Sequence, residues 1–213
     1  MTDPQRPPSE RARVRREPER ARYDRATIDA ILDEALYCHV GFVHDGKPVV
    51  IPTIHVRVGD DLLLHGSPAS RMIRSITGHP VSVAVTLLDG LVLARSVFNH
   101  SLNYRSVVLF GTAEVVEEPA LKLEAMRRFT DALVPGRWGE ARVPTDLEVR
   151  STTMLRIPIA EASAKVRTGP PEDEEEDLGR DTWAGVIPLR LTAGEPIPAP
   201  DLRPGIPPPG VPS

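Results

Sequence analysis

The sequence has little of what marks several large classes of protein. It contains one cysteine, Cys38, in 213 residues, so an internal disulfide and a disulfide-stapled secreted fold are excluded. No apolar run approaches the roughly 18 residues needed to span a bilayer. The first twenty residues, rich in Arg, Pro and Glu, lack the apolar centre of a secretory signal. We therefore expect a cytoplasmic protein that does not associate with membranes.

The sequence also lacks a net positive charge and the common catalytic motifs. The formal net charge is -4, which gives no overall field for binding nucleic acid, so we expect no nucleic-acid partner. The sequence has no His-Glu-x-x-His helix and no cysteine pair for zinc, and no Gly-x-Ser-x-Gly elbow for a serine hydrolase. It also lacks Gly-x-Gly-x-x-Gly and Walker loops, so any nucleotide must be held by other means.

Proline is abundant, with 23 residues, and it helps to divide the chain. Residues 1–22 mix Pro with Arg and Glu and contain almost nothing to bury, which predicts a flexible arm. The end of the chain contains Pro207-Pro208-Pro209 and favours extended conformations. We therefore predict one domain over residues 23–190, followed by a Pro-rich tail over residues 191–213.

Within this domain the apolar pattern alternates mainly with a period of two, which is typical of β-strands. Asp45-Gly46 and Asp89-Gly90 predict tight turns between strands. Helical spacing appears in short stretches, behind Asp24 and Thr27 and over residues 70–77 and 119–133. The pattern predicts a mainly β fold with short α-helices, a six-stranded antiparallel barrel that is closed or nearly closed.

One segment has the composition of an anion site. In residues 65–74 a predicted strand ends at His65, a Gly/Ser/Pro/Ala turn follows, and a helix begins near Ser70. Free backbone N–H groups at the helix start, the hydroxyls of Ser67 and Ser70, and the Arg71 guanidinium could together bind a phosphate. An ordinary helix cap at Ser70, with solvated arginines, is equally consistent with the spacing.

Other stretches offer weaker signals. The strand over residues 81–87 has one face of small residues, which leaves room for a planar ring, a second subunit or a packed helix. A polar run ending at Tyr104-Arg105-Ser106 precedes an apolar strand. Lys165-Val166-Arg167 precedes an acidic run and is typical of a solvated loop. Trp183 is either a stacking residue or part of a core or interface.

Several motifs taken together resemble one known family. They are Cys38-His39-Val40-Gly41-Phe42-Val43, Ile51-Pro52-Thr53, His65-Gly66-Ser67 through Arg71, Asp89 through Ser96, Asn103 through Val107, Gly136-Arg137-Trp138, Ala164 through Pro171, and Trp183 through Pro188. This combination resembles the pyridoxamine 5'-phosphate oxidase-like flavin-nucleotide-binding family, in the branch that includes nitroimidazole-resistance-type proteins. The resemblance covers roughly residues 25–190.

The resemblance implies a split β-barrel that binds FMN, with FAD also possible, and a homodimer with flavin sites between its subunits. It places Pro52 and Thr53 at the ring edge. It assigns the flavin phosphate to His65, Ser67, Ser70 and Arg71. It also suggests cofactor-binding residues that close the cleft, namely Tyr104, Arg105, Ser106, Lys165, Arg167 and Trp183. The implied activity is an FMN-dependent oxidoreductase acting on a small-molecule substrate.

The chain departs from the true oxidases at its C-terminal end. Their Arg-Pro-x-Arg-type substrate signature is not recognisable, and Asp201-Leu202-Arg203-Pro204 does not replace it. Two alternatives therefore stay open beside the oxidoreductase. One is a haem-binding protein on the same barrel, with His39, His55, His65 or His100 as axial ligand. The other is a flavin carrier or sensor without turnover, and the catalytic residues are not identified.

Overall fold

Two antiparallel sheets form the framework of the protein, whose computed structural model describes residues 6–210. Within this range lie eleven strands: β1 Ala21–Arg22, β2 Tyr37–His44, β3 Lys47–Ile54, β4 Val56–Val58, β5 Asp61–Gly66, β6 Pro80–Leu93, β7 Ser101–Thr112, β8 Glu114–Val115, β9 Thr153–Pro158, β10 Glu161–Arg167 and β11 Gly185–Pro188. The larger sheet has the order β1-β10-β7-β6-β2-β3, with β11 added to β6, and the smaller has the order β4-β5-β9-β8.

Five α-helices accompany the sheets in the described range: α1 Arg25–Glu34, α2 Arg71–Ile76, α3 Pro119–Leu133, α4 Arg137–Glu140 and α5 Asp146–Ser151. The predicted mainly β fold with short helices is thereby confirmed. None of these helices is long and apolar enough to cross a membrane.

The main core lies between the two sheets and is sealed by α1. This helix begins at Asp24, whose carboxylate accepts a 2.8 Å hydrogen bond from the Thr27 backbone N–H. Its apolar face buries Ile28, Ile31 and Leu32 against inward-facing residues of both sheets. The predicted helical periodicity is therefore correct because one face of the helix is buried.

The chain passes from one sheet to the other at His55. The sequence predicts one strand over residues 49–58, but the structure divides it into β3 and β4. His55 lies at the break, is 3% exposed, and its ring Nε2 lies 3.0 Å from the Leu32 carbonyl oxygen. Alternating apolar residues occur in both halves, so local pattern does not reveal a change of sheet.

The two Asp-Gly pairs behave differently. Asp45 and Gly46 both have positive φ, 49° and 72°, and form the predicted hairpin turn. The turn predicted at Asp89-Gly90 is wrong, because β6 continues through it with a register shift. A Cβ on Gly90 would lie 2.8 Å from Val186 Cγ1, so glycine is needed there for the close approach of β11.

The segment predicted as an arm contacts the domain over its described part. Ala12 and Ala21 are buried, and β1 pairs with β10. Ser9 and Arg11 both bind the Glu161 carboxylate. The rest of residues 6–22 are exposed or half-buried, and the flexible arm stays a prediction. Residues 191–210 contain no helix or strand, residues 1–5 and 211–213 lie outside the described range, and the domain boundaries stay a prediction.

Candidate functional site

A largely apolar cavity of about 490 Å³ lies beside the end of β5, and we call it the His65 cavity. Helix α3 supplies one wall, and the segment leading from it to α5 supplies another. The lining residues are Ile54, His65, Met126, Phe129, Thr130, Leu133, Val134, Arg137, Trp138, Pro144 and Thr152. A volume of this size lies within the roughly 300–1,000 Å³ typical of small-molecule and cofactor sites.

His65 is the titratable group of most interest in this cavity. Its ring packs edge-on against Phe129, with centroids 4.5 Å apart. Its Nδ1 atom is buried and has no hydrogen-bond partner among residues 6–210. Burial lowers the pKa of His65, so the ring is held in the neutral form that can bind a metal.

The segment after His65 forms a tight turn into α2. The Ser67 hydroxyl accepts a 3.2 Å hydrogen bond from the Ala69 N–H, and the Ser70 N–H donates to the Ser67 carbonyl at 2.9 Å. Ser70 occupies the N-cap position, but its side chain makes no capping hydrogen bond. Arg71 is exposed at the first position of the helix. The side-chain cap that the spacing allowed is therefore not formed, and a phosphate site stays a prediction.

A second cavity, of about 310 Å³, adjoins the first, and we call it the His55 cavity. Ile54, Phe129 and Leu133 line both cavities and separate them. The other residues lining the second cavity are Leu32, Asp33, Ala35, Leu36, His55, Val56, Arg57, Arg128, Asp131 and Ala132. Burial lowers the pKa of His55 as well.

Two of the predicted site segments pair directly in the larger sheet. Lys165 lies opposite Ser106, Val166 opposite Arg105, and Arg167 opposite Tyr104. The solvated loop predicted for residues 165–167 is therefore wrong. The strand escaped detection because β10 buries small residues, Ala162 and Ala164, that give no β signal.

The cations in these strands already have partners within the chain. Arg105 forms ion pairs with Glu34 and Asp89, which raise the pKa of its guanidinium. Lys165 donates to the Arg16 carbonyl at 2.9 Å. Arg167 is buried and donates to the Asn103 side chain at 2.6 Å and to the Pro170 carbonyl at 3.3 Å. These contacts give all three residues structural roles, and their flavin contacts stay a prediction.

The remaining predicted site residues lie apart from one another. Pro52 and Thr53 lie on β3, at the edge of the larger sheet, with Pro52 exposed and Thr53 half-buried. Trp183 is 63% exposed and precedes β11. Tyr104 is half-buried, and the Ser106 hydroxyl donates to the Lys165 carbonyl at 3.3 Å. One chain therefore does not assemble the whole predicted set in one cleft.

Sequence reasoning missed most of the wall of the His65 cavity. Met126, Phe129 and Leu133 are spaced three or four apart, and this periodicity predicted α3 but not what the helix covers. Periodicity identifies an apolar face without distinguishing a core from a cavity. Among residues 6–210, no group of three or more His, Cys, Asp or Glu side chains is arranged to hold a metal ion.

Comparison with known proteins gives a consistent result. The family model described as pyridoxamine 5'-phosphate oxidase matches residues 24–166. The structure of the flavocytochrome Anf3 from Azotobacter vinelandii is 45% identical over 95% of both chains, with a TM-score of 0.89. The FAD and heme binding protein from Mycobacterium smegmatis is 40% identical over 89% of this chain and 94% of its own, with a TM-score of 0.85.

A more distant match supports the fold alone. A candidate 5-nitroimidazole antibiotic resistance protein from Bacteroides thetaiotaomicron is 23% identical over 67% of this chain and 84% of its own, with a TM-score of 0.55. No curated protein matches significantly. Because the family model spans well over half of the sequence, the chain belongs to the pyridoxamine 5'-phosphate oxidase family, as its motifs predicted.

Proposed function

We propose that this protein binds a flavin nucleotide and a haem and acts as a small flavocytochrome-type redox protein. The observation that supports this most directly is the 45% identity, over 95% of both chains, to a flavocytochrome. A second relative, at 40% identity, is a FAD- and heme-binding protein. Both haem binding and flavin binding were open alternatives from the sequence, and the proposal unites them.

The His65 cavity is the site we propose for the haem. It combines an apolar lining with one histidine that burial keeps neutral, and a histidine is a common axial ligand of haem iron. The Met126 side chain lines the same cavity. Arg137, exposed at its edge, could pair with the carboxylates of the macrocycle, although it also binds Glu140 at 2.8 Å. The residues present therefore fit this group.

For the flavin we propose FAD ahead of FMN, because the 40%-identical relative binds FAD. Ser67, Ser70 and Arg71 would bind its phosphates. The exposure of Arg71 and the unused Ser70 hydroxyl leave these groups available for a ligand. Pro52 and Thr53 would contact the ring edge, as the family resemblance implies.

Flavin and haem would supply electron transfer, and the chain would supply position and surroundings. Phe129 and the rest of the apolar lining would exclude water from the His65 cavity, and the neutral His65 would offer a nitrogen lone pair. We propose a small-molecule substrate, since the cavities admit nothing larger.

A homodimer is also part of the proposal. The outward surface of the larger sheet, which we call the outer face, exposes apolar and small side chains, with Val43 at 66% and Val50 at 63% exposure. The register aligns His39 with Pro52 and with Ala84, and Ala84 with Val108, across four strands. Exposed apolar surface of this kind is typical of an interface. A second copy there would complete a flavin cleft from residues that one chain leaves apart.

The absorbance spectrum of the purified protein tests the cofactors. We expect flavin bands and a Soret band together. Heating and chromatography of the released flavin distinguish FAD from FMN. Flavin bands without haem uptake, even after haem addition, would reduce the proposal to a flavoprotein. A protein that neither binds nor is stabilised by flavin or haem would contradict it entirely.

Substitution of single histidines tests the haem ligand. His65→Ala should lose the Soret band and keep the flavin bands, because we assign His65 to the iron and no longer, as the resemblance implied, to the flavin phosphate. The matched control is His100→Ala, at an exposed histidine outside both cavities, which should keep both sets of bands. A normal Soret band in His65→Ala would refute His65 as the ligand.

A further inference from the structure

The Pro-rich tail carries apolar side chains that its own chain leaves uncovered. Over residues 191–208 every side chain is exposed, with Leu191 at 89% and Ile197 at 93% exposure. The sequence from residue 191 to residue 213 contains three charged residues, whereas disordered segments that stay solvated are typically rich in charge. The composition of the tail therefore favours a segment that packs against a surface.

The order of residues gives the tail one apolar side. Residues 191–199 contain two prolines and favour the polyproline II conformation. This helix has three residues per turn, so residues separated by three or six positions lie along the same edge. Leu191 and Ile197 therefore share one edge, and Thr192 and Glu195 share another. The tail can bury its apolar edge while its polar edge stays in water.

The tail leaves the fold beside the outer face. β11 ends with Pro188 opposite Gly90 of β6, and the Leu189 N–H then donates to the Asp89 carbonyl at 3.0 Å. β2, which begins at Tyr37, pairs with the same edge of β6 as β11 does, because β7 occupies the other edge. Tyr37 nevertheless stays 53% exposed, so the tail of the same chain leaves it uncovered.

The open part of the outer face presents an aromatic pair. Tyr37 and His39 alternate along β2 with the fully buried Cys38 and Val40, so both rings lie on the outer face. The two rings pack edge-on with centroids 5.5 Å apart. Surfaces lined with aromatic side chains are the usual docking sites of Pro-rich polyproline II segments. This pair therefore matches the chemistry of the tail.

The N-terminal segment borders this open part and adds opposite charge. The Arg11 guanidinium lies 4.9 Å from the centroid of the Phe110 ring on β7, and Lys165 donates to the Arg16 carbonyl at 2.9 Å. Residues 6–22 carry seven arginines against three glutamates, which makes the border basic. A docked tail would bring the carboxylate of Glu195 towards this border, so the charges of tail and border are complementary.

We propose that the tail of each copy docks as a polyproline II segment on the outer face of the second copy, with the edge of Leu191 and Ile197 against Tyr37 and His39. Residues 191–199 would reach about 25 Å, whereas the distance from β3 to β7 is about 14 Å, so the segment is long enough to cross the open face. Docking would cover apolar surface on the tail and the face together. The proposal rests on the homodimer proposed above and adds the tail to its contacts.

Disulfide trapping shows which copy the tail contacts. Cys38 is removed first by Cys38→Ala, because it adjoins Tyr37 in the sequence. Tyr37→Cys and Ile197→Cys are then combined in one full-length chain, which is oxidised. We expect a covalent dimer on denaturing electrophoresis, with positions 37 and 197 joined in the peptide mass spectrum. A link within one chain, or no link, would overturn the proposal. In the matched control, Ala120→Cys on the exposed side of α3 replaces Tyr37→Cys and should give no link to position 197.

A charge on the apolar edge should weaken the dimer. Ile197→Asp should raise the dimer dissociation constant at least about tenfold by sedimentation, because it would place an unpaired carboxylate in an apolar contact. The matched control is Thr192→Asp, on the edge that carries Glu195, which should leave the constant unchanged. A dissociation constant that Ile197→Asp leaves unchanged would contradict the docked edge.

Variants of Tyr37 test the receiving side. Tyr37→Phe keeps the ring and should dimerise like the parent, while Tyr37→Ser should weaken the dimer. Combined with Ile197→Asp, Tyr37→Ser should cost less than the sum of the two single effects, because both remove one contact. Fully additive effects would refute that contact. A parent chain that sediments as a monomer would refute the homodimer and the docked tail together, whereas a dimeric parent without the trapped link would refute the docked tail alone.

Discussion

His55 and His65 are ten positions apart, and both are held in neutral form by burial, with different partners. His55 donates to a backbone carbonyl, which fixes its tautomer. His65 contacts Phe129, and its Nδ1 has no hydrogen-bond partner in the part of the chain that the structure describes. A histidine that binds metal usually has its second nitrogen held by a hydrogen bond. The haem ligand proposed here lacks this support from protein groups at Nδ1, so we expect its ring orientation to depend on packing against Phe129.

Both histidines should make the stability of the protein depend on pH. The pKa of each is lowered in the folded state from an ordinary value of 6.5. Below about pH 6.5 the unfolded chain binds protons at these histidines more readily than the folded chain does, so the free energy of unfolding decreases as the pH is lowered. Above about pH 6.5 the two histidines should not make the free energy of unfolding depend on pH. Urea unfolding of the cofactor-free protein at pH 7.5, 6.5 and 5.5 measures the effect.

A variant assigns part of this dependence to one side chain. His65→Phe should reduce the loss of stability between pH 6.5 and 5.5, because it removes one group that must charge on unfolding. His100→Gln, at an exposed position, serves as the comparison and should retain the full dependence. An unchanged pH profile in His65→Phe would show that burial of this ring does not contribute.

Arg71 should distinguish flavins by their phosphates. Arg71→Ala should weaken binding of FAD or FMN about tenfold to a hundredfold, the range for a hydrogen bond to a charged group. Riboflavin, which lacks the phosphate, should bind the variant and the parent alike. Fluorescence titration of each flavin measures this. Arg74→Ala, an exposed arginine in the last turn of the same helix, is the matched control and should change neither. Equal losses for riboflavin and FMN would refute the phosphate role.

At the scale of elements, β6 shows how one glycine changes the course of the chain. The strand continues through Asp89-Gly90, where Asp89 binds Arg105 at 2.8 and 3.0 Å. β11 pairs with the edge of β6 that lies opposite to β7, close to Gly90. An Asp-Gly pair is thus compatible with a turn or with a register shift, and only the neighbouring strands determine which forms.

Gly90→Ala should loosen β11. The new methyl group would lie 2.8 Å from Val186 Cγ1 and 3.2 Å from the Ile187 carbonyl oxygen, so β11 must shift. We expect a loss of about 1–3 kcal/mol in the free energy of unfolding, typical of overpacking. Urea unfolding measures it. Gly139→Ala, at a helical glycine with no atom within 4 Å of the added carbon, should lose no stability. Equal stability of Gly90→Ala and the parent would contradict the close approach.

At the scale of the whole molecule, the proposed dimer explains why one chain leaves the predicted site residues dispersed. Pro52 lies on an edge strand, Arg71 begins a helix after the smaller sheet, and Lys165 lies on the far side of the larger sheet. The two cavities and the predicted phosphate segment cluster near α3 and β5, away from the strand pair β7–β10. In a dimer, predicted site residues of one copy could lie next to those of the other copy, although within one copy they lie apart.

Introducing a charge on the outer face should separate the subunits. Ala84→Arg adds a cation to a small position between His39 and Val108 in the sheet. We expect a monomer by sedimentation and weaker flavin binding, because a buried unpaired charge is costly. Ala120→Arg, on the exposed side of α3, should remain dimeric. A monomer that still binds flavin as tightly as the parent would contradict a cleft shared between subunits.

The local elements and the family were determined by the sequence. The periodicity of residues 28–36 and 119–133, and the turn at Asp45-Gly46, were read correctly because each depends on neighbouring residues and one buried face. The family motifs extend over the domain, and the family they indicate is the one whose model matches residues 24–166.

Only the tertiary structure decided which polar groups are free. In the sequence, Arg105 and Lys165 are cations that could bind a ligand. In the structure Arg105 binds Glu34, about 70 positions away, and Lys165 binds the Arg16 carbonyl in the N-terminal segment. β10 gives little local signal because it buries small residues, and its pairing with β7, about 60 positions away, makes it a strand. The two cavities arise where α3 packs on the smaller sheet, beside Ile54 at the end of β3. Burial and hydrogen bonding are set by such long-range contacts, and these leave no local pattern in the sequence.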